Sequence, residues 1–520
     1  MEPFVSRTGA LATAAAIALC VVAVRAPLFD LPLERDEGEY AYIAWRLAAG
    51  ETPYLDWFDQ KPPGVFLAYR AALALPGDPV VAIRAVAALF CAGSAVALFA
   101  LGRALLGTAA AGVAALLFVF LSADPLLQGS FANTEIFMVP WVLLAAFLSM
   151  RVFGAARPRF ATGFAVGLAL GVATAFKQVA GVNAPLLLAL FWLRAPRGER
   201  LASTSRFGGA VAAGVVSVWA AIALWFAARG GFAAALDAIL LHNLAYTAER
   251  TLAERWAALQ YFVPPLGPSQ GVAWALAGLG LVVLARRPDR FPALFLGGFA
   301  AANAVGLASS GFFFPHYFQQ ILPAIAMLAA AAIAGASTSP RWRVTAGTAL
   351  AVAPLALAAI GFWRLDPAEA SRRIYPGNYF DAMPALAAEV ASQTTPSDRV
   401  FVFGSEPEIL FDARRVSASR YIYLFPAYGR FSDAEARQAE VIADVEATQP
   451  AAIVWLTVQS LQGRPHRLTE WTQTYLKAHY RLHAFATADA EDRTELHYLE
   501  PDVDPSELAR AWAMLFVRAD

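Results

Sequence analysis

The chain has 520 residues, of which 58% are hydrophobic and only 15% charged, against about 45–50% and about 25% in an ordinary soluble domain. Basic and acidic residues balance at 40 each, and no basic cluster stands outside short loops, which argues against a nucleic-acid partner. Apolar runs long enough for a ~30 Å hydrocarbon core recur along the first two thirds, so the fold class is a polytopic α-helical membrane protein.

The first run, Leu11 to Ala26 behind Arg7, has the outline of a signal peptide with a small-residue site at Val24-Arg25-Ala26. Apolar sequence continues to Leu33 and further spans come after it, so it is read as an uncleaved first span. Eleven spans are expected, near 9–30, 80–102, 108–124, 136–152, 160–176, 179–193, 207–228, 270–285, 291–309, 320–336 and 344–363. With that count Arg103, Arg151, Arg157, Arg159, Arg194, Arg197, Arg200, Arg206, Arg286, Arg287, Arg290, Arg341 and Arg343 share one side. The positive-inside rule makes that side cytoplasmic and places segments 31–79, 229–268, 310–319 and 364–520 outside. The 160–193 pair also reads as a re-entrant hairpin with Lys177 at its tip. Cys20 and Cys91 fall inside apolar runs, which gives no sign of a disulfide framework or a cysteine-held zinc.

The first outer segment, 31–79, is too polar to cross and too patterned for a plain linker. Glu37, Tyr40, Ala41, Ala44 and Leu47 recur at helical spacing, as do Val65, Phe66, Tyr69 and Leu73. Two amphipathic helices lying in the membrane interface are expected, joined by an aromatic stretch from Tyr54 to Asp59. Arg35-Asp36-Glu37 begins the first of them, where an acid is favoured by N-capping and the helix dipole. Gly163, Gly167 and Gly171 make a stripe that predicts close helix packing. Gly267-Pro268-Ser269-Gln270-Gly271 lacks the strand–turn–helix setting of a hydrolase elbow. Past Arg364 the composition turns polar. Short β-like stretches at 399–404, 451–457, 481–487 and 495–499 alternate with helical ones at 381–393, 433–448 and 469–479, predicting a C-terminal soluble α/β domain over 364–520 beside a membrane domain over 1–363.

The stretch Arg35-Asp36-Glu37-Gly38-Glu39-Tyr40-Ala41-Tyr42-Ile43-Ala44, with Gly50 to Asp56 and Lys61-Pro62-Pro63-Gly64, resembles the first outer loop of protein O-mannosyltransferase-like and aminoarabinose-transferase-like enzymes of the GT-C glycosyltransferase superfamily. Arg84 and Gly102 to Gly107 fit the continuation of that loop in the group, and Phe314 to Pro323 resembles a later outer-loop motif of its bacterial branch. The resemblance implies inverting transfer of a sugar from a polyprenyl-phosphate donor to an acceptor hydroxyl of a protein, glycan or lipid, at the outer face of a bacterial inner membrane. It implies Asp36 as general base, with Glu37 positioning it, and Lys61 on the lipid phosphate. Arg84, Lys177 and His316 are further candidates for the phosphate, His316 with an acidity near neutrality. Tyr54, Tyr317 and Gln178 are further cavity candidates, and His242 and Asn243 weaker ones. Glu135 resembles the family's second acidic site, and with Asp36 would be the pair to hold a divalent cation, if one is used.

The lysines add an argument of their own. The chain has three, Lys61, Lys177 and Lys477, in a background of arginine, and the first two fall at outer ends of spans. Where arginine is the default cation, a retained lysine points to a role that a guanidinium does not fill; chance and snorkelling near a helix end are the other explanation. The alternative from another class is a transporter or flippase, which calls for charged or broken helices at the midplane and an internal repeat. Neither is evident in the sequence.

Overall fold

The computed structural model describes residues 7–334, 340–457, 467–499 and 505–519. Its membrane part begins with helices α1 (Arg7–Arg25), α2 (Arg35–Ala48), α3 (Gly64–Ala72), α4 (Pro79–Leu106), α5 (Thr108–Ser122), α6 (Thr134–Ser149), α7 (Phe160–Phe176), α8 (Asn183–Arg194) and α9 (Arg200–Ala228). The long helices Gly267–Ala285, Phe291–Ala308, Leu322–Ala334 and Arg341–Trp363 come next. A helix therefore lies on each of the expected spans, although the end of the tenth falls outside the described residues. Among the described residues five helical segments are long and apolar enough to cross by themselves: Pro79–Leu106, Arg197–Ala228, Leu252–Ala285, Phe291–Ala308 and Arg341–Trp363. The protein is a multi-pass membrane protein.

Local chemistry sets the ends. The first helix stops at Arg25, five residues short of expectation, because Pro27 comes next but one and the buried guanidinium leaves the helix to donate to the carbonyl of Ser122 at 2.6 Å and to that of Gly129. α7 and α8 are joined by a short 3₁₀ turn, Gln178–Val182, with Lys177 in extended backbone just before it. The glycine stripe packs on α9: a Cβ at Gly163 would lie 2.7 Å from that of Ala210, and one at Gly167 would fall on the Val211 carbonyl oxygen.

The two helices expected in the first outer segment are present as α2 and α3. Glu37 to Ala44 of α2 are buried all round, because the C-terminal region closes over them. Gly38 makes that closure, since a Cβ there would sit 2.5 Å from the Cβ of Glu408. The Ser417 amide donates to Tyr42 Oη at 2.9 Å, the Phe58 amide donates to the Arg420 carbonyl at 2.9 Å, and Arg420 donates to the Tyr54 carbonyl at 3.1 Å.

The C-terminal region is built on strands β1 (Arg399–Phe403), β2 (Val416–Ser417), β3 (Ala452–Leu456), β4 (Tyr480–Ala488), β5 (Thr494–Tyr498) and β6 (Ala513–Arg518), in the order β2-β1-β3-β6-β4-β5. β2, β1 and β3 run parallel, with Phe401 opposite Ile453, and the rest of the sheet is antiparallel, with Ile453 opposite Phe516. Helices Met383–Ser392, Ala434–Thr448 and Arg467–His479 accompany it. β1, β3, β4 and β5 and these helices stand where the periodicity puts them. β2, with two residues, and β6 are additional.

Candidate active site

The site is assembled at the start of α2. Glu34 caps this helix by accepting from the amides of Asp36 and Glu37, both at 3.1 Å, and Glu37 returns a carboxylate oxygen to the Glu34 amide. The cap is thus Glu34 and not Asp36, which leaves the Asp36 carboxylate free to face a cavity of about 780 Å³. Lys61 Nζ approaches Asp36 Oδ2 at 3.8 Å, and Tyr40 Oη donates to the same oxygen at 3.3 Å. Asp36 and Lys61 both line the cavity, with 26% and 13% of their side chains exposed.

Lys61 is held by its neighbours rather than by chance. Tyr54, in left-handed backbone at φ 66°, donates its hydroxyl to the Lys61 carbonyl at 2.6 Å, and Asp59 Oδ1 accepts from the Lys61 amide at 2.8 Å. The ammonium lies 5.4 Å from the Tyr40 ring centroid. Burial works to depress the Lys61 pKa, but Asp36, Asp59 and Glu39 outweigh it and raise it, so the lysine stays charged. Burial also works to raise Asp36, and there Lys61 leads the charges that outweigh it and hold the carboxyl below its ordinary range. Behind this pair Glu39 and Asp59 lie together. Burial first, and then the charge of Asp59, lift Glu39 well above the usual carboxylate range, while burial, only partly offset by Lys61, brings Asp59 to about 6.

Glu37 and Arg84 do something different. They form a fully buried ion pair at 2.8 Å. Arg84 also donates to the carbonyls of Leu31 and Pro32 at 2.5 and 2.9 Å and reaches those of Leu28 and Phe29. Glu37 accepts from the Ala132 amide at 2.7 Å. The expectation of Arg84 on a phosphate is corrected, because its donors are occupied by backbone carbonyls and Glu37. Glu37 touches Arg84 and Ala132 rather than the Asp36 carboxylate.

Glu135 and Lys177 form a second ion pair, with Glu135 wholly buried and also accepting from Thr134 Oγ1 at 3.0 Å. Lys177 Nζ sits 3.7 Å above the Tyr317 ring, and Tyr317 lines the cavity. Each acid of the expected metal pair is therefore answered by its own ammonium. Among the described residues no group of three or more His, Cys, Asp or Glu side chains is placed to hold a metal ion. This donor set does not fit a divalent cation.

His316 is buried, with Nδ1 2.6 Å from Gln128 Oε1, so that Nδ1 carries the donated hydrogen. Burial lowers it from 6.5 to about 4, which corrects the expectation of an acidity near neutrality. Gln178 donates to the carbonyls of Ile239 and Gln60 at 3.0 and 3.4 Å, bracing the loop beneath Lys61, and Asn243 joins it on the Gln60 carbonyl at 2.6 Å. Tyr54 and Gln178 thus support the site without lining it. His242 packs between Phe58 and Phe431.

Sequence reasoning missed Glu39, Asp59, Tyr246 and Arg250. Arg250 lines the cavity with its guanidinium 4.0 Å over the Phe312 ring. Glu39 carried a usable signal, standing three residues after Asp36 on the same helical face. It did not name the residues of the far wall, where Ser405, Glu406, Tyr423 and Trp512 of the C-terminal region close the cavity.

A model of the dolichyl-phosphate-mannose-protein mannosyltransferase family matches residues 60–225, a range that holds Lys61, Arg84, Glu135 and Lys177. Among solved structures, ArnT from Cupriavidus metallidurans bound to undecaprenyl phosphate is similar at TM-score 0.61 and 18% identity, over 96% of this chain and 100% of that one. The oligosaccharyltransferase AglB from Archaeoglobus fulgidus, in complex with an inhibitory peptide and a dolichol-phosphate, is similar at TM-score 0.51 and 13% identity, over 99% and 77%. The arabinofuranosyltransferase AftD from Mycobacteria is similar at TM-score 0.52 and 15% identity, over 99% of this chain and 40% of that one. Likeness at these identities is likeness of fold. A search of curated protein sequences found no match.

Proposed function

We infer that this chain, a member of the GT-C superfamily of membrane glycosyltransferases, transfers a sugar from a polyprenyl-phosphate donor to an acceptor hydroxyl, with Asp36 as general base and Lys61 on the lipid phosphate. The observation that carries this reading is the pair itself, an acid and a cation 3.8 Å apart facing one cavity. The donor class is supported by the mannosyltransferase family model and by the undecaprenyl phosphate and dolichol-phosphate bound to ArnT and AglB.

In the proposed step the acceptor hydroxyl passes its proton to Asp36 while its oxygen bonds to the anomeric carbon. The bond from that carbon to the phosphate oxygen breaks, the electron pair leaves on the phosphate, and Lys61 meets the developing charge. Attack opposite the leaving group inverts the anomeric centre. The donor also tunes the base. With Lys61 engaged by phosphate, the charge that depresses Asp36 is partly neutralised, and the carboxylate becomes more basic as the donor arrives. Lys177, kept by Glu135 and seated on Tyr317, is the second cation for the phosphate.

The arginine-rich loops support a cytoplasmic side opposite this cavity. The catalytic loop and residues 364–520 are accordingly assigned outside the inner membrane of a bacterium, with 1–363 as the membrane domain.

The test is a transfer assay on purified protein in lipid, offering a panel of polyprenyl-phosphate sugars and following donor loss. Wild type should consume one donor, and Asp36→Asn and Lys61→Ala should not. Full turnover by Asp36→Asn, or no donor bound at all, overturns the assignment.

A further inference from the structure

The wall of the cavity opposite Asp36 belongs to the C-terminal sheet, and its construction names a class of acceptor. β1 and β3 are parallel neighbours. The chain leaves β1 toward β2 on one flank, while β3 adjoins β6 on the other. The carboxyl ends of β1 and β3 thus flank a topological switch point, the place where open α/β sheets hold small ligands. Ser405 and Glu406 come just after β1, Leu456 ends β3, and Trp512 immediately precedes antiparallel β6, so all four stand at that end of the sheet. All four line the cavity.

Aromatic rings dominate the wall. Trp512 stacks on Tyr379 with centroids 4.5 Å apart and planes at 28°, and Tyr423 and Phe425 extend the surface. The Trp512 side chain is almost wholly buried, and its Nε1–H has no hydrogen-bond partner among the described residues, so the ring is held here at the cost of an unmet donor. The same strand end grips the catalytic loop. Arg35, the residue before Asp36, donates Nε to the Ser405 carbonyl at 2.8 Å, pairs with Glu406 at 2.6 Å and reaches Asn378 Oδ1 at 3.3 Å. A ligand on this wall is therefore held in fixed relation to the base.

We propose that this wall is the acceptor subsite and that the acceptor is a saccharide, one sugar ring lying on the Trp512–Tyr379 stack with a hydroxyl toward Asp36. This rests on the transfer reading above and names its substrate class. A flat ring with an apolar C–H face and hydroxyl edges suits a stacked aromatic platform with hydrogen-bonding groups at its margin. A peptide taken up by strand addition needs an unpaired sheet edge. The edges here are β2, whose Ser417 amide is tied to Tyr42, and β5. The cavity opens instead on strand ends.

The test is saturation-transfer NMR on the full chain in lipid nanodiscs without donor. Methyl α-mannoside, methyl β-glucoside, a disaccharide panel and a Ser/Thr peptide are offered at millimolar concentration. Ring protons of at least one saccharide should be saturated, the signal should fall at least fivefold in Trp512→Ala, and Trp512→Phe should keep most of it. Tyr379 is less buried, so Tyr379→Leu gives a second reading should Trp512→Ala fail to fold, with a loss of the same direction. Saturation of the peptide alone, of nothing, or of saccharides equally in all variants overturns the proposal. Since no donor is present, these outcomes are separate from the donor-consumption assay, which judges the transfer reading independently.

Discussion

Asp36 and Glu37 are consecutive carboxylates in one helical turn with opposite surroundings. Glu37 is wholly buried and meets Arg84 at 2.8 Å, while Asp36 keeps 26% of its side chain exposed and meets Lys61 at 3.8 Å. The cause is local: Glu34 takes the cap, and the ~100° between successive helical residues turns one acid into the bundle and the other toward the cavity. The buried pair has backbone partners for its remaining groups and holds the loop. The looser pair keeps its charge where a substrate can reach it.

The sharpest way to break this contrast is to neutralise each acid in turn. Asp36→Asn should lower kcat by about 10²–10⁴ and leave thermal unfolding in detergent unchanged. Glu37→Gln should do the reverse in kind, leaving Arg84 buried against a neutral partner at a cost of about 3–5 kcal/mol, visible as a lower unfolding midpoint and poor yield. If Glu37→Gln were stable and inactive, the division between holding and reacting would be wrong. Lys61→Ala comes next, with an expected loss of about 10²–10³. Lys61→Arg should recover only part of it, because a guanidinium fork fits poorly among Asp36, Asp59 and Tyr40.

The same contrast marks how far the sequence could be read. The spans were legible because burial in lipid demands long apolar runs, and the loop because Asp36, Lys61 and their neighbours stand close together in the chain. The fates of Glu37 and Arg84 were not legible, since Arg84 reaches backward to carbonyls of residues 28–32 that no periodicity marks. Nor were the individual residues of the far wall, because Glu406 pairs with Arg35, and Trp512 shares a cavity with Asp36, across more than three hundred residues of chain. β6 escaped for a related reason: its partners β3 and β4 are supplied by the fold, and a six-residue run at the end of a polar tail carries little pattern by itself. Gly38 shows the same limit. Its place in the motif is plain, but its reason is the Glu408 backbone against it. Gly38→Ala should loosen the closure, raising KM for acceptor by a few fold with less effect on donor binding, as read by separate titrations.

The smallest expected effect, and the finest test, is in pH. Asp59 has its pKa raised from 3.8 to about 6, chiefly by burial, with Lys61 opposing and Asp36 reinforcing. The folded state thus holds its proton more tightly than the unfolded chain, and the stability this gives is present below about pH 4 and lost as pH rises through about 6. His316 works the other way. Burial lowers it from 6.5 to about 4, with Glu135 and Asp36 opposing and Lys177 and Lys61 reinforcing, so protonation favours the unfolded chain and stability is lost as pH falls from about 6.5 toward 4. In wild type the two slopes oppose each other over nearly the same window, with Glu39, also lifted by burial, on the side of Asp59. Asp59→Asn removes one of them, and its midpoint should then fall relative to that of wild type as the buffer is taken from about pH 7 to about 5. His316→Gln removes the other, and its midpoint should rise over the same change. Parallel profiles in the two variants would mean that neither group titrates as its surroundings dictate.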